Sequence, residues 1–263
     1  IDFFVLPDIL AEDGHRLEMP MFDFDRYLYI TAGSGFGKTT LLQMSLLANV
    51  IEPLISGNSG VISSNSLSKL SKYRDIRFSL FGETSPVYFP VFIHAKSSND
   101  LKWNSILDIA EGNQVEGFLT LVDEAHNAGT LLFLIDSMDE VERGEKSQYF
   151  LNTIQTQLQT DYPNAKAIFT SRFLGKDPLS VDHDSVHVAE LSNEAIKVIT
   201  ESILSPQYTQ KVLEQFEENA HLVALVRNPF ALLISLNTKG TLDLHRLLES
   251  IVTAIIERRW DKT

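Results

Sequence analysis

Lys38 and Thr39 close the run Ala32-Gly33-Ser34-Gly35-Phe36-Gly37-Lys38-Thr39-Thr40, a grouping of residue types that can bind a phosphate. Glycines at 33, 35 and 37 leave few Cβ atoms, so backbone N–H groups can turn inward and cradle an anion. A helix starting behind them adds roughly half a positive charge at its N-terminus. Lys38 would reach the outer phosphates of a nucleotide, and the Thr39 hydroxyl would ligate Mg²⁺. Gly33 to Thr40 is therefore the candidate phosphate-binding stretch. Ala32 stands where the pattern asks for Gly, so the entry to the loop must have ordinary backbone angles. The competing explanation is a glycine-rich turn before any helix. The flanks weigh against it: Arg26 to Thr31 reads as a short strand, with Tyr27, Leu28, Tyr29 and Ile30 as β-formers, and the chain from Thr39 onward is apolar and helix-forming.

A second chemical group lies downstream. Leu131-Leu132-Phe133-Leu134-Ile135 is a continuous apolar run, as a buried parallel strand should be. It ends in Asp136-Ser137-Met138-Asp139-Glu140. Asp136, at the end of that strand, is placed to hold Mg²⁺ opposite Thr39. Asp139 and Glu140 lie one short turn on, where a carboxylate can orient or deprotonate an attacking water. The alternative is an acidic loop after a core strand. A third apolar strand, Ala165 to Phe169, ends in Thr170-Ser171-Arg172, at the position where open α/β sheets bind ligands. Arg172 could read a γ-phosphate as a bidentate donor; a surface arginine in a loop competes with that role.

These groups need elements to carry them. The spacing predicts a buried helix from Leu41 to Ile51, ended by Pro53. Ile55 to Leu80 is Ser- and Asn-rich and is expected to be a loop or irregular insertion, with a short helix around Leu67–Leu70. Val87 to Ala95 reads as a strand, at an edge or bulge because of Pro90, and His94 as a packed or exposed strand residue. Leu101 to Ala110 looks helical. Phe118 to His126 resembles a helicase DEAH box with Asp123-Glu124. Yet Val115, Phe118, Leu119, Val122 and Ala125 follow helical spacing and Gly129 offers a stop, which favours a helix. An amphipathic helix is expected over Ser147–Gln159, and a strand over Val186–Ala189. Asp182, His183, Asp184 and His187 are assigned to a solvated loop and strand, with no metal. From Leu191 the pattern is all helical. Ser192 caps the first helix, and the last carries Leu244, Leu248, Ile251, Val252 and Ile255 on one stripe.

Composition narrows the function classes. The 263 residues suit one large or two modest domains, and 44% hydrophobic with 22% charged residues allow a sizeable core. A net charge of −13 disfavours nonspecific nucleic-acid binding. With no cysteine, disulfides and thiolate metal sites are excluded. No apolar run reaches the roughly 18 residues of a membrane span, and no signal peptide is visible, so a cytoplasmic location is expected. The chain starts at Ile1 and stops at Thr263 just after a helix, which leads us to expect a fragment of something longer.

Four motifs together, AGSGFGKTTLL, LLFLIDSMDEV, AIFTSRF and NPFALLI, resemble a NACHT-type member of the STAND class of P-loop NTPases. The Asp-small-x-Asp-Glu form of the second is the most distinctive, since helicases and most AAA+ proteins have Glu directly after the Mg²⁺ aspartate. The resemblance runs from about residue 3 to the C-terminus. It implies an α/β class fold: a three-layer α/β/α P-loop NTPase domain with a mostly parallel sheet over residues 1–190, then a small all-helical domain over 191–263. It places the Thr170-Ser171-Arg172 strand between the P-loop strand and the Asp136 strand. It also implies that Pro229 contacts the nucleotide base and that the segment containing Leu6 and Pro7 lies near it. ATP or ADP with Mg²⁺ would be the ligands, and Asp139, Glu140 and Arg172 the catalytic residues of a slow ATPase. By the same resemblance the chain is a signalling switch: ADP holds it closed, ATP permits self-oligomerisation, and hydrolysis resets it. Sensor and effector domains would lie outside this chain. Bacterial antiphage defence is one setting for such switches. The alternative is a binding scaffold stabilised by a nucleotide it never turns over. Two departures from the family pattern are Ala32 for Gly and Ser34 where many members have Pro.

Overall fold

In the computed structural model, residues 5–18, 20–57, 64–99, 103–142, 144–172, 179–237, 249–250 and 253 are described. The chain divides into two units. The larger comprises Ile9–Gly33 and Lys38–His187; the smaller comprises Ile1–Asp8, Ser34–Gly37 and Val188–Thr263.

The larger unit is built on a sheet with six strands among the described residues: β1 (Ile9–Ala11), β2 (Tyr27–Thr31), β3 (Phe89–His94), β4 (Leu131–Asp136), β5 (Lys166–Ser171) and β6 (Asp184–Val188). Their order is β1-β6-β2-β5-β4-β3. The pairs β2–β5, β2–β6, β4–β5 and β3–β4 are parallel. The strand that ends in Thr170-Ser171 thus lies between the two that end at Thr31 and Asp136. Every residue of β4 is buried, because helices cover both faces of the sheet.

Side-chain alternation sorts the layers. Tyr29, Ile93, Leu131, Phe133, Ile135 and Phe169 face one way, into a core shared with α3 (Phe118–Asn127) and α4 (Glu145–Thr160). The intervening residues Leu28, Ile30, Phe92, Leu132, Leu134 and Ile168 are also buried. They face α1 (Lys38–Gly57), which packs against β3, β4 and β5 and is backed by α2 (Ser64–Phe81). The result is a three-layer α/β/α arrangement around a mostly parallel sheet.

Three local expectations are corrected. Helix α1 does not stop at Pro53 but runs through it to Gly57; a proline there forfeits one i→i−4 bond without ending the helix. The stretch Ile55–Leu80, expected to be irregular apart from a short helix around Leu67–Leu70, instead carries most of the long helix α2, Ser64–Phe81. Its inward positions include Leu70, Arg77, Leu80 and Phe81, so an arginine stands where an apolar residue would have revealed the helical period. Arg77 is buried, and its Nη2 donates to the carbonyls of Ser85 and Pro86. Among the described residues of the stretch Leu101–Ala110, only Ile106–Ile109 are helical. They form a single 3₁₀ turn capped by Ser105.

The smaller unit carries α5 (Asn193–Ile203), α6 (Pro206–Glu218), α7 (Ala220–Val226) and α8 (Pro229–Asn237). Ser192 caps α5 by accepting from the Ala195 N–H, and Pro206 opens α6 at its first turn. Leu191, Ile196, Ile199, Phe216, Leu222 and Leu232 are among its core residues, and Val5 packs against them. The last helix expected, with its stripe from Leu244 to Ile255, lies outside the described residues apart from 249–250 and 253. No single helix among the described residues is long and apolar enough to cross a membrane.

Candidate functional site

Register brings the chemical groups of the larger unit to one edge. His94 pairs with Asp136 and Thr31 with Ser171 across neighbouring parallel strands, so β2, β3, β4 and β5 all finish along the same rim. Asp136 follows Leu132 and Leu134 on the face that meets α1, and the first residues of α1 are Lys38 and Thr39. This is why two segments far apart in sequence converge.

Asp136 is the centre of that convergence. It is 1% exposed. Its Oδ2 accepts from Thr39 Oγ1 at 2.7 Å and its Oδ1 from Thr170 Oγ1 at 2.6 Å. His94 Nδ1 lies 3.6 Å from Oδ2, and His94 Nε2 lies 3.2 Å from Glu111 Oε1. Burial alone would raise the Asp136 pKa, but contacts from His94, Thr170 and Thr39 outweigh it and hold the carboxyl below its ordinary value. The same contact with Asp136 raises the His94 pKa, against burial and with help from Glu111 and Glu140.

Lys38 curls back toward the start of its own loop. Its Nζ donates to the carbonyls of Ala32 at 2.9 Å and Gly33 at 3.0 Å. Burial draws this ammonium below the usual lysine range, opposed mainly by the field of Asp139 and also by Asp136 and Glu140. Arg172 adds to the lowering. A partly buried ammonium bonded to neutral carbonyls attracts an anion more strongly than one in bulk water, while the nearby carboxylates oppose that attraction.

The turn after β4 aims the next two acids. Ser137 has φ 60° and is the only non-glycine residue with positive φ among the described residues. Its N–H donates to Thr170 Oγ1 at 3.0 Å. The left-handed residue reverses the chain into the short 3₁₀ turn Met138–Glu140, which returns Asp139 to the end of β5. There Asp139 Oδ1 accepts from the Arg172 N–H at 2.9 Å and from Ser171 Oγ at 3.4 Å, and Oδ2 lies 3.0 Å from Arg172 Nε. The Glu140 side chain is exposed.

Within the larger unit the structure therefore draws together Lys38, Thr39, Asp136, Asp139 and Arg172, with Thr40 exposed on the first turn of α1 and Gly33 before the loop. Thr170 and His94 join them without having been assigned roles from sequence. Thr170 belonged to a polar cluster already noted. His94 carried a signal only in register, which places it opposite Asp136.

The remaining expected residues belong to the smaller unit. Gly35 and Gly37 both have φ 82°, a backbone region that suits glycine. Asn228 Nδ2 donates to the Ser34 carbonyl at 2.9 Å, and the Phe230 N–H donates to the Gly35 carbonyl at 3.3 Å. Phe36 is half-buried. Pro229 is the first residue of α8, and Leu6 and Pro7 are half-buried. Asp123 and Glu124 lie on the exposed side of α3, so they do not end a strand as a helicase pair would.

Oxygen donors suit Mg²⁺, which is held by one or two carboxylates together with water and phosphate oxygens rather than by an all-protein cage. Thr39 Oγ1 and Asp136 fit that donor set. Among the described residues no group of three or more His, Cys, Asp or Glu could hold a metal.

No family model matches the chain, and no curated protein does. A solved structure similar to it is that of a signal transduction ATPase with numerous domains (STAND) protein with a tetratricopeptide repeat sensor, from Pyrococcus horikoshii. The identity is 12% and the TM-score 0.34, over 87% of this chain and 30% of that one. The chain thus spans about a third of that neighbour's length.

Proposed function

We propose that this chain is the nucleotide switch of a NACHT-type STAND ATPase, binding ADP and ATP with Mg²⁺. The observation that carries this reading is the hydrogen bond from Thr39 to Asp136 at 2.7 Å, which joins the start of α1 to the end of β4. Thr39 and Asp136 would hold the Mg²⁺, which would neutralise phosphate charge. Lys38 would neutralise the outer phosphates, with the loop amides from Gly33 to Thr40 around them. Arg172, held in place by Asp139, would distinguish ATP from ADP. Pro229, Leu6 and Pro7 would lie at the base. In the same reading residues 1–190 are the nucleotide-binding domain and 191–263 the helical domain. Exchange of ADP for ATP drives self-oligomerisation in the longer protein, slow hydrolysis resets it, and the setting is cytoplasmic, with bacterial antiphage defence as one role such a switch could serve.

Energetics allow a switch of this kind. A swing from 1:99 to 99:1 needs about 5.5 kcal/mol of differential binding. Two or three charge-assisted hydrogen bonds at roughly 1.5–3 kcal/mol each reach that figure. The test is the affinity of the purified chain for ADP and ATP beside that of Lys38→Ala. Loss of binding in the variant supports the reading; equal, weak binding by both proteins rejects it.

One observation favours a second reading, a scaffold stabilised by a nucleotide it does not hydrolyse. The Asp139 carboxylate is already engaged by Arg172 and Ser171, which leaves Glu140 to orient water. Nucleotide that stays bound unchanged, with no difference between wild type and Glu140→Ala, would select this alternative.

A further inference from the structure

Asn228 does two jobs with one amide. Its Oδ1 accepts from the N–H groups of Phe230 at 3.0 Å and Ala231 at 3.3 Å, which caps α8. Its Nδ2 donates to the carbonyl of Ser34 at 2.9 Å. One residue on, the Gly35 carbonyl accepts from the Phe230 N–H at 3.3 Å. Two consecutive carbonyls of the glycine loop are thus tied to the first turn of one helix. The approach is close: a Cβ on Gly35 would stand 2.8 Å from Asn228 Oδ1 and 3.0 Å from Phe230 Cβ.

Peptide geometry gives these bonds a consequence. In a trans peptide the C=O and the following N–H point in opposite directions. Fixing the Ser34 carbonyl on Asn228 turns the Gly35 N–H away from α8. Fixing the Gly35 carbonyl on Phe230 does the same for the Phe36 N–H. Neither N–H donates to another group among the described residues. An anion-binding loop needs this arrangement: carbonyls anchored outward, adjacent amides presented together. Asn228 supplies it from a distance of 194 residues in sequence.

We infer that Asn228 is a positioning residue for phosphate binding, acting through the amides of Gly35 and Phe36 and coupling the loop to α8. This rests on the nucleotide reading above. Asparagine is singular at this position. Aspartate and serine also cap helices, but an ionised aspartate has no donor for the Ser34 carbonyl, and serine has one short-armed hydroxyl where asparagine has a separate carbonyl oxygen for the cap and an NH₂ group for Ser34.

The test uses the purified chain with ADP and adenosine as probes, titrated by calorimetry into wild type, Asn228→Ser, Asn228→Asp and Lys38→Ala. Asn228→Ser keeps the helix cap, so its unfolding midpoint stays at the wild-type value while ADP binds about 5- to 10-fold more weakly, as for loss of one neutral hydrogen bond. Adenosine, without phosphate, binds both equally. Asn228→Asp loses more, because its carboxylate faces the Ser34 carbonyl. Independently of any ligand, amide order parameters over Ser34–Gly37 fall in Asn228→Ser from the rigid range toward about 0.6. Unchanged ADP affinity with unchanged order parameters overturns the role of Asn228, as does an equal loss for ADP and adenosine. Wild-type protein that binds ADP no better than Lys38→Ala overturns the nucleotide reading instead.

Discussion

Thr39 and Asp136 are 97 residues apart in sequence, and the hydroxyl of one donates to the carboxylate of the other at 2.7 Å. The bond forms because α1 lies over the face of β4 on which Asp136 projects. It joins the first turn of α1 to the end of β4 without any other protein group between them.

Asp136→Ala should therefore cost stability as well as metal dependence. The substitution strands the Thr39 and Thr170 hydroxyls and leaves His94 with Glu111 alone of its two carboxylate partners. Leaving buried donors unpaired costs about 1–3 kcal/mol. Urea unfolding should show a loss of that size, and added Mg²⁺ should no longer strengthen ADP binding. A wild-type midpoint together with an intact Mg²⁺ effect would mean that Asp136 does not organise this rim.

Gly35→Ala should disturb the same contacts as Asn228→Ser. The new methyl meets Asn228 and Phe230 at 3.0 Å or less, and φ 82° is strained for alanine. Because both changes act on the Ser34–Asn228 bond, their effects on ADP affinity should fall short of additive in a double-mutant cycle. Strict additivity would show that the two residues act independently.

Ser137 explains the small residue of the Asp-Ser-Met-Asp-Glu sequence. Its left-handed conformation, φ 60° and ψ 53°, turns the chain back toward β5. A β-branched side chain there is costly, by about 1–2 kcal/mol. Ser137→Val should be less stable than Ser137→Gly by that amount in chemical unfolding, and its Arg172–Asp139 contact should weaken with it. Equal stability of the two variants would count against the backbone argument.

Arg172 is half-exposed and Asp139 nearly buried in their ion pair. Surface pairs of this kind contribute less than about 1 kcal/mol to stability. Arg172→Ala should therefore leave the unfolding midpoint close to wild type while narrowing the difference between ATP and ADP affinity. A large loss of stability, with the ATP preference kept, would make the arginine a structural residue.

Much of this arrangement was legible in the chain. Apolar runs that end in polar clusters mark β2, β4 and β5, and glycine spacing marks the loop. The helical period of Phe118, Val122 and Ala125 outweighed the appearance of Asp123-Glu124 as a strand motif, and α3 is a helix. What escaped was hidden for physical reasons. In α2 a buried arginine stands at an inward position, so periodicity of apolar residues fails. Pro53 marks a helix end in isolation, yet α1 runs through it to Gly57. His94 and Asn228 act through partners 42 and 194 residues away, and nothing local to either predicts its neighbour.

The lateral neighbours of β2 carry a consequence for biosynthesis. This strand is made well before its parallel partners, β5 and β6, which begin at Lys166 and Asp184. At roughly 5–20 residues per second, the ribosome takes many seconds to deliver the first of them. Until then a tyrosine-rich segment waits with both edges bare. The glycine turn it leads into is likewise translated long before Asn228 and Phe230, the residues that hold its carbonyls.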